Sequence, residues 1–165
     1  MIRLGKTSDI KAILEIIEEA KSRLRQLNVN QWQEGYPNEA IISKDINNKQ
    51  LYVYLIDEKV VGTMTVLDHE PTYDVILGNW LNDKEYIVVH RIAIKDGFNG
   101  KGIGKSLINY AMNHYKKDLK IDTHPANIPM QKMLKGLEFI YCGDTYIGPK
   151  PNDLRYCYQK EYLGD

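Results

Sequence analysis

Tyr86-Ile87-Val88-Val89-His90-Arg91-Ile92-Ala93-Ile94 is followed, four residues later, by Asn99-Gly100-Lys101-Gly102-Ile103-Gly104-Lys105-Ser106. The first run is nearly continuously apolar, as expected for a central strand covered on both faces. The second places three glycines within five positions. From Ile103 through Leu107, Ala111 and Tyr115 apolar residues recur every four positions, so the glycines open a helix rather than interrupt one. Strand, glycine turn and helix in that order is a general solution for phosphate binding, because free N–H groups at the helix start point outward and the helix dipole favours negative charge. Glycine is needed where the chain passes close to the ligand or takes positive φ. The plainer alternative is that Gly100, Gly102 and Gly104 only permit a tight connection.

Three phosphate patterns compete for this segment. A P-loop requires its first glycine at position 99, which is Asn99, although Gly104-Lys105-Ser106 supplies the end. A dinucleotide fingerprint requires a small residue at Lys105 or at Leu107, depending on its start, and fails in both registers. The third, Gln/Arg-x-x-Gly-x-Gly/Ala, fits Asn99-Gly100-Lys101-Gly102-Ile103-Gly104 with one departure at its first position. In this signature, and in the His90-Arg91-Ile92-Ala93-Ile94 strand before it, the chain resembles the GNAT superfamily of N-acetyltransferases.

Outward from this centre, Thr7 or Ser8 can cap a helix with the stripe Ile10, Ile13, Leu14, Ile17, Ala20, Leu24 and Leu27. Asn28 to Asn38 reads as a loop exposing aromatic residues, and a short helix over Glu39 to Asn47 follows. Leu51 to Ile56 and Val60 to Leu67 form a hairpin. Residues 68–84 are polar and punctuated by Gly and Pro. After the glycine helix come a strand at Leu119 to Thr123, a helix from Asn127 to Lys135, and strands at Phe139 to Ile147 and Leu154 to Tyr162 about the turn signal Gly148 to Asp153. The whole is an α/β (α+β) chain, one domain over residues 1–165. The resemblance implies a mixed central sheet of seven strands flanked by four helices, with two central parallel strands, Tyr86–Ile94 and Leu119–Thr123, splayed apart.

Asn127 to Phe139 is similar to the second motif of that family, in which an Asn opens a helix and a Gly-Phe pair closes it. Asn127 is a good N-cap by chemistry alone; in the family it also faces the pantetheine arm. The family's acid Tyr is replaced by Leu134, and the Gly before Phe by Glu138, with Gly136 two residues upstream.

The resemblance implies acetyl-CoA as cofactor, with CoA as product. Ile92, Ala93, Ile94, Asn99, Gly100, Lys101, Gly102, Ile103, Gly104, Lys105, Ser106, Asn127 and Met130 would bind it, and an acceptor amine of a small molecule or peptide would attack the thioester directly. Strand N–H groups left free by the splay can bind amides and polarise a carbonyl. Candidate bases are His124, His90 and Glu85; each also has a structural reading, His124-Pro125 as a turn former and Glu85 as a solvated strand end. Gln31, Trp32, Gln33 and Tyr36 are the candidate acceptor side, or a core plug.

With 22 Lys plus Arg against 22 Asp plus Glu, no global field draws the chain to nucleic acid or to an anionic membrane. Cys142 and Cys157 read as reduced structural thiols, the histidines lack metal-ligand spacing, and no stretch suits a signal peptide or membrane helix. A cytoplasmic location and a homodimer are the accompanying expectations. Two other readings stay open: a nucleotide-binding module, and a GNAT fold that senses acyl-CoA without transfer.

Overall fold

In the computed structural model, which describes residues 1–164, one sheet of eight strands runs in the order β1-β2-β3-β5-β6-β8-β7-β4. The strands are β1 (Ile2–Leu4), β2 (Leu51–Ile56), β3 (Lys59–Leu67), β4 (Leu77–Gly78), β5 (Tyr86–Ile94), β6 (Asp118–Thr123), β7 (Ile140–Tyr146) and β8 (Leu154–Lys160). The helices are α1 (Ile10–Gln26), α2 (Glu39–Asn47), α3 (Ile103–Tyr115) and α4 (Ile128–Gly136). The mixed architecture is the expected one, with an eighth strand where seven were expected. That strand, β4, lies inside the polar 68–84 segment and pairs Gly78 with Gly143 on β7. A Cβ on Gly78 would stand 2.2 Å from the Cys142 carbonyl oxygen, so glycine permits this edge contact.

Alternation along the strands divides the core between two faces. Leu107, Ile108 and Ala111 of α3 and Leu134 of α4 cover Met64, Val66, Ile87, Val89, Leu119 and Ile121. Ile13, Ile16, Ile17 and Ala20 of α1, with Ile42 of α2, cover Leu51, Val53, Leu55 and Ala93 on the other face. Farther along that face Tyr73, from the 68–84 segment, packs on Val88 and Cys157. The α1 stripe is rotated from the expected one: Ile16 and Lys21 are buried, whereas Leu27 is 46% exposed at the C-cap. The helix also begins later, at Ile10, after a 3₁₀ turn over Thr7–Asp9.

Strands β5 and β6 are parallel neighbours but pair only from Tyr86–Asp118 to Val88–Lys120. Beyond Val88 they part while β5 stays on β3 and β6 on β8. The parting is assisted by a β-bulge: Thr63 faces Ala93 and Thr65 faces His90, so β5 carries one residue more than β3, with Arg91 at φ +51°.

Candidate active site

The slot between β5 and β6 opens toward the glycine turn. Gly97, Gly100 and Gly102 sit at φ +86°, +77° and +80°, with nothing within 4 Å of a Cβ built on any of them. Backbone conformation, not crowding, therefore requires glycine at these three positions. Gly104 is the reverse case: it is helical, and its Cβ would meet the Met133 sulfur at 3.0 Å, so it lets α3 approach α4 closely. Gly102 is the N-cap of α3, and the first intrahelical bond runs from the Ser106 N–H to the Gly102 carbonyl at 3.0 Å. The N–H groups of Ile103, Gly104 and Lys105 precede that bond and have no intrahelical acceptor. With Lys101 and Lys105 exposed beside them, they form an anion-binding end. Asn99 is exposed, its amide 3.5 Å from the Lys95 carbonyl.

The edge of β5 that faces the slot follows from the Lys95 N–H, which bonds the Val61 carbonyl of β3 at 2.8 Å. Successive N–H groups point to alternate edges of a strand, so those of Ile94 and Ile92 point into the slot, where β6 no longer pairs with β5. Ile92 and Ile94 also pack their side chains on the α3 face, while Ala93 turns to the α1 face. Across the slot, Asn127 caps α4 by accepting from the Met130 N–H at 3.3 Å, and Met130 packs half-buried on the same core.

The helix end at Glu138 explains the displaced glycine. The Phe139 N–H bonds the Leu134 carbonyl and the Glu138 N–H the Lys135 carbonyl, both at 2.9 Å, the paired bonds of a Schellman motif. Its left-handed residue is Glu138 at φ +66°. Leu134, at the position of the expected Tyr, is fully buried in the core.

The three candidate bases are not brought together. Glu85 is exposed and 3.5 Å from Lys117 at the closed end of the parallel pair; five residues of strand put it about 16 Å from His90 along β5. His124 is buried, its Nδ1 accepting from the Ala126 N–H and its Nε2 facing the Asn152 amide oxygen, each at 3.0 Å. One ring nitrogen thus holds the β6–α4 turn and the other ties it to the turn before β8. His90, two residues past the last β5–β6 pair, has its Nε2 2.8 Å from the Glu70 carboxylate. The His90 hydrogen bond, aided by the Thr72 N–H, holds the Glu70 carboxyl down at about 2 against the opposing effect of burial. A carboxylate can only accept, so Nε2 bears a hydrogen, and in the neutral ring Nδ1 is then the atom able to take a proton. Tyr73 bridges the slot behind it, its ring against His90 and its hydroxyl donating to Asp122 on β6 at 2.5 Å.

The loop between α1 and α2 carries the residues expected on the acceptor side. Trp32 packs, partly buried, on the α1 core. The Gln33 amide donates to the Gln31 carbonyl at 3.0 Å, and the Gln31 side-chain oxygen is buried without a partner. Tyr36 is 42% exposed and accepts from Arg91 Nη1 at 2.7 Å. Arg91 also grips Asp45 of α2 through Nε and Nη2 at 2.8 and 3.0 Å, and the Thr65 hydroxyl donates to the same carboxylate at 2.7 Å.

Glu70, Asp45, Tyr73 and Asp122 surround the candidate site and were passed over by the sequence reading. Asp45 had a signal, since a carboxylate three residues after Ile42 lies on the apolar stripe of α2, as Arg91 lies in an apolar strand. Two charges on buried surfaces call for each other. Glu70 had none, because its partner is twenty residues away in a segment without periodicity.

Among the described residues, no group of His, Cys, Asp and Glu could hold a metal ion, and no helix is long and apolar enough to cross a membrane. The family model described as the acetyltransferase (GNAT) family matches residues 11–139. A GNAT-family acetyltransferase structure from Streptococcus agalactiae 2603 is 35% identical with a TM-score of 0.91, over 99% of this chain and 96% of that one. A structure from Staphylococcus aureus Mu50 is 28% identical, with a TM-score of 0.73 over 98% and 99% of the two chains. A ribosomal-protein-alanine N-acetyltransferase from Brucella melitensis shares the fold, with a TM-score of 0.71 at 16% identity over 98% and 99%. No curated protein matches the sequence.

Proposed function

This chain belongs to the GNAT family of acetyltransferases and is an acyltransferase; from that premise we propose that it transfers an acetyl group from acetyl-CoA to a primary amine of a small molecule or peptide, by direct attack in a ternary complex. The observation that carries the reading is the divergence of β5 from β6 beyond Val88, with a glycine-formed helix end at its mouth. The positive φ of Gly100 and Gly102 and the free N–H groups of α3 fit a pyrophosphate. The open edge of β5 fits the amides of a pantetheine arm. Acetyl-CoA, when bound, supplies the thioester.

In this reading Ile103, Gly104 and Lys105 hold the pyrophosphate through backbone N–H groups, with Lys101 and Lys105 adding charge. Ile92 and Ile94 align the arm. His90 takes the proton from the acceptor's ammonium at Nδ1, and Glu70 holds the ring in the required tautomer, the arrangement by which a carboxylate orients a histidine base. His124 and Glu85 are not needed for this step.

A ligand at 100 times its dissociation constant adds about 2.7 kcal/mol of stability, so acetyl-CoA should raise the melting temperature where ATP-Mg and NAD do not. Gly102→Glu should abolish the shift; Gly102→Ala, equally strained at φ +80° but uncharged, controls for backbone strain. Full stabilisation of the Glu variant by acetyl-CoA would refute the cradle. The burial of Leu134, which leaves the helix α4 without the expected acid, favours a sensor as second reading. Thiol release over a panel of amines separates the two.

A further inference from the structure

We infer that the contact between Arg91 and Tyr36 selects the acceptor: the amine is borne next to a carbonyl or carboxylate oxygen, as in an amino acid, an amino amide or a peptide terminus, and Tyr36 donates its hydroxyl proton to that oxygen. The inference rests on the transferase reading and deepens it by naming the acceptor class.

The bulge in β5 turns His90 and Arg91, neighbours in the chain, to the same face of the sheet. His90 meets Glu70 there, and Arg91 meets Asp45 and Tyr36. Arg91 has no acceptor atom, so the Tyr36 oxygen can only receive from it, and the phenolic proton is left free to donate. The Arg91 and Asp45 side chains are 8% and 3% exposed, whereas Tyr36 is 42% exposed. A buried, charge-balanced pair thus holds a neutral donor at the surface. The next residue is tied down as well: buried Lys21 donates to the Pro37 carbonyl at 2.8 Å.

Adjacent residues of one strand therefore address two groups of the acceptor. His90 takes a proton from the amine, and Arg91, through Tyr36, offers a proton to its neighbour. A plain alkylamine has no atom to receive it. A carbonyl or carboxylate oxygen two bonds from the amine-bearing carbon can receive it. Arg91 is in this sense a positioning residue, and Tyr36 the group that touches the acceptor.

The test compares phenylalaninamide with 2-phenylethylamine, which differ by the carboxamide, as acceptors for the whole protein saturated with acetyl-CoA. The carboxamide also weakens the amine as a base, so the wild-type ratio of kcat/KM is only the reference; the informative quantity is how the ratio changes. Tyr36→Phe should lower it about tenfold, the upper range for one neutral hydrogen bond, by raising KM for the amide. Arg91→Lys, which cannot hold Asp45 with two arms and Tyr36 with a third, should reproduce the fall, with the acetyl-CoA dissociation constant by calorimetry within about twofold of wild type. Equal losses on both acceptors, or none, would overturn the inference while leaving the transferase reading standing. Acetyl-CoA binding with no turnover of either amine, nor thiol release over the wider panel of amines, would overturn both.

Discussion

Replacing Asp45 by Asn keeps the shape of the side chain and removes its charge. Its two oxygens receive three hydrogen bonds, from Arg91 Nε at 2.8 Å, Arg91 Nη2 at 3.0 Å and the Thr65 hydroxyl at 2.7 Å. Whichever way the amide is turned, its NH2 faces a guanidinium donor, and the Arg91 charge stays 92% buried with no counter-ion. Breaking one partner of a buried pair costs about 3–5 kcal/mol, against 0–1 for an exposed one. In urea, with a slope of about 2 kcal/mol/M, the midpoint should fall by roughly 2 M. For a chain of 165 residues the melting temperature should fall by about 6–20 °C. Far-UV circular dichroism during urea unfolding measures the loss. Replacing all the polar partners together, Asp45→Leu with Arg91→Met and Thr65→Val, should recover most of it, because an apolar replacement of similar volume leaves no buried charge. A loss below about 1 kcal/mol in Asp45→Asn, or a triple variant less stable than it, would refute the claim that this pair is buried and coupled.

Glu138→Gly should stabilise the protein by about 0.5–1 kcal/mol, since relief of a left-handed residue worth about 1–2 kcal/mol outweighs the added freedom of glycine when unfolded; an unchanged or lower melting temperature would count against the φ of +66°. Glu70 gives a pH signature. Its carboxyl lies at about 2 in the folded protein against an ordinary 4.5, so the unfolded chain binds the proton first. The stabilisation is complete above about pH 4.5 and is lost as pH falls toward 2. The stability difference between wild type and Glu70→Gln, roughly 2 kcal/mol at pH 6 after allowing for solvent screening, should shrink by about 1 kcal/mol at pH 3.5. A gap that stays constant or widens on acidification would be inconsistent with the His90–Glu70 pair.

Much of the fold is legible in local pattern because its signals are local. The apolar run at Tyr86–Ile94, the glycines that follow and the four-residue recurrence from Ile103 each depend on residues within a turn or two of one another. The Asn127 cap is equally local, since its acceptor serves an N–H three residues on. The short strand Leu77–Gly78 escapes such a reading, because two residues have no period and only the approach of Gly143 makes them a strand. The left-handed end of α4 shows the converse. The backbone bonds of the Schellman turn are kept although Glu occupies the glycine position, so the upstream Gly136 does not supply the left-handed residue.

Apart from Leu77–Gly78, the order of the elements and the glycine-opened helix at which an anion can be held follow from local pattern, because hydrophobic period, capping and backbone freedom act between near neighbours. Which histidine has both ring nitrogens engaged by neighbouring protein depends on packing alone. His124 and His90 are alike in composition and differ in what surrounds them: backbone and Asn152 hold the two nitrogens of the first, while Glu70, brought in from a loop, holds Nε2 of the second. The same holds for the acceptor side. Asp45, Arg91 and Tyr36 lie on a helix, a bulged strand and a loop, and a hydrogen bond depends on distance and direction in space, which spacing along the chain does not encode.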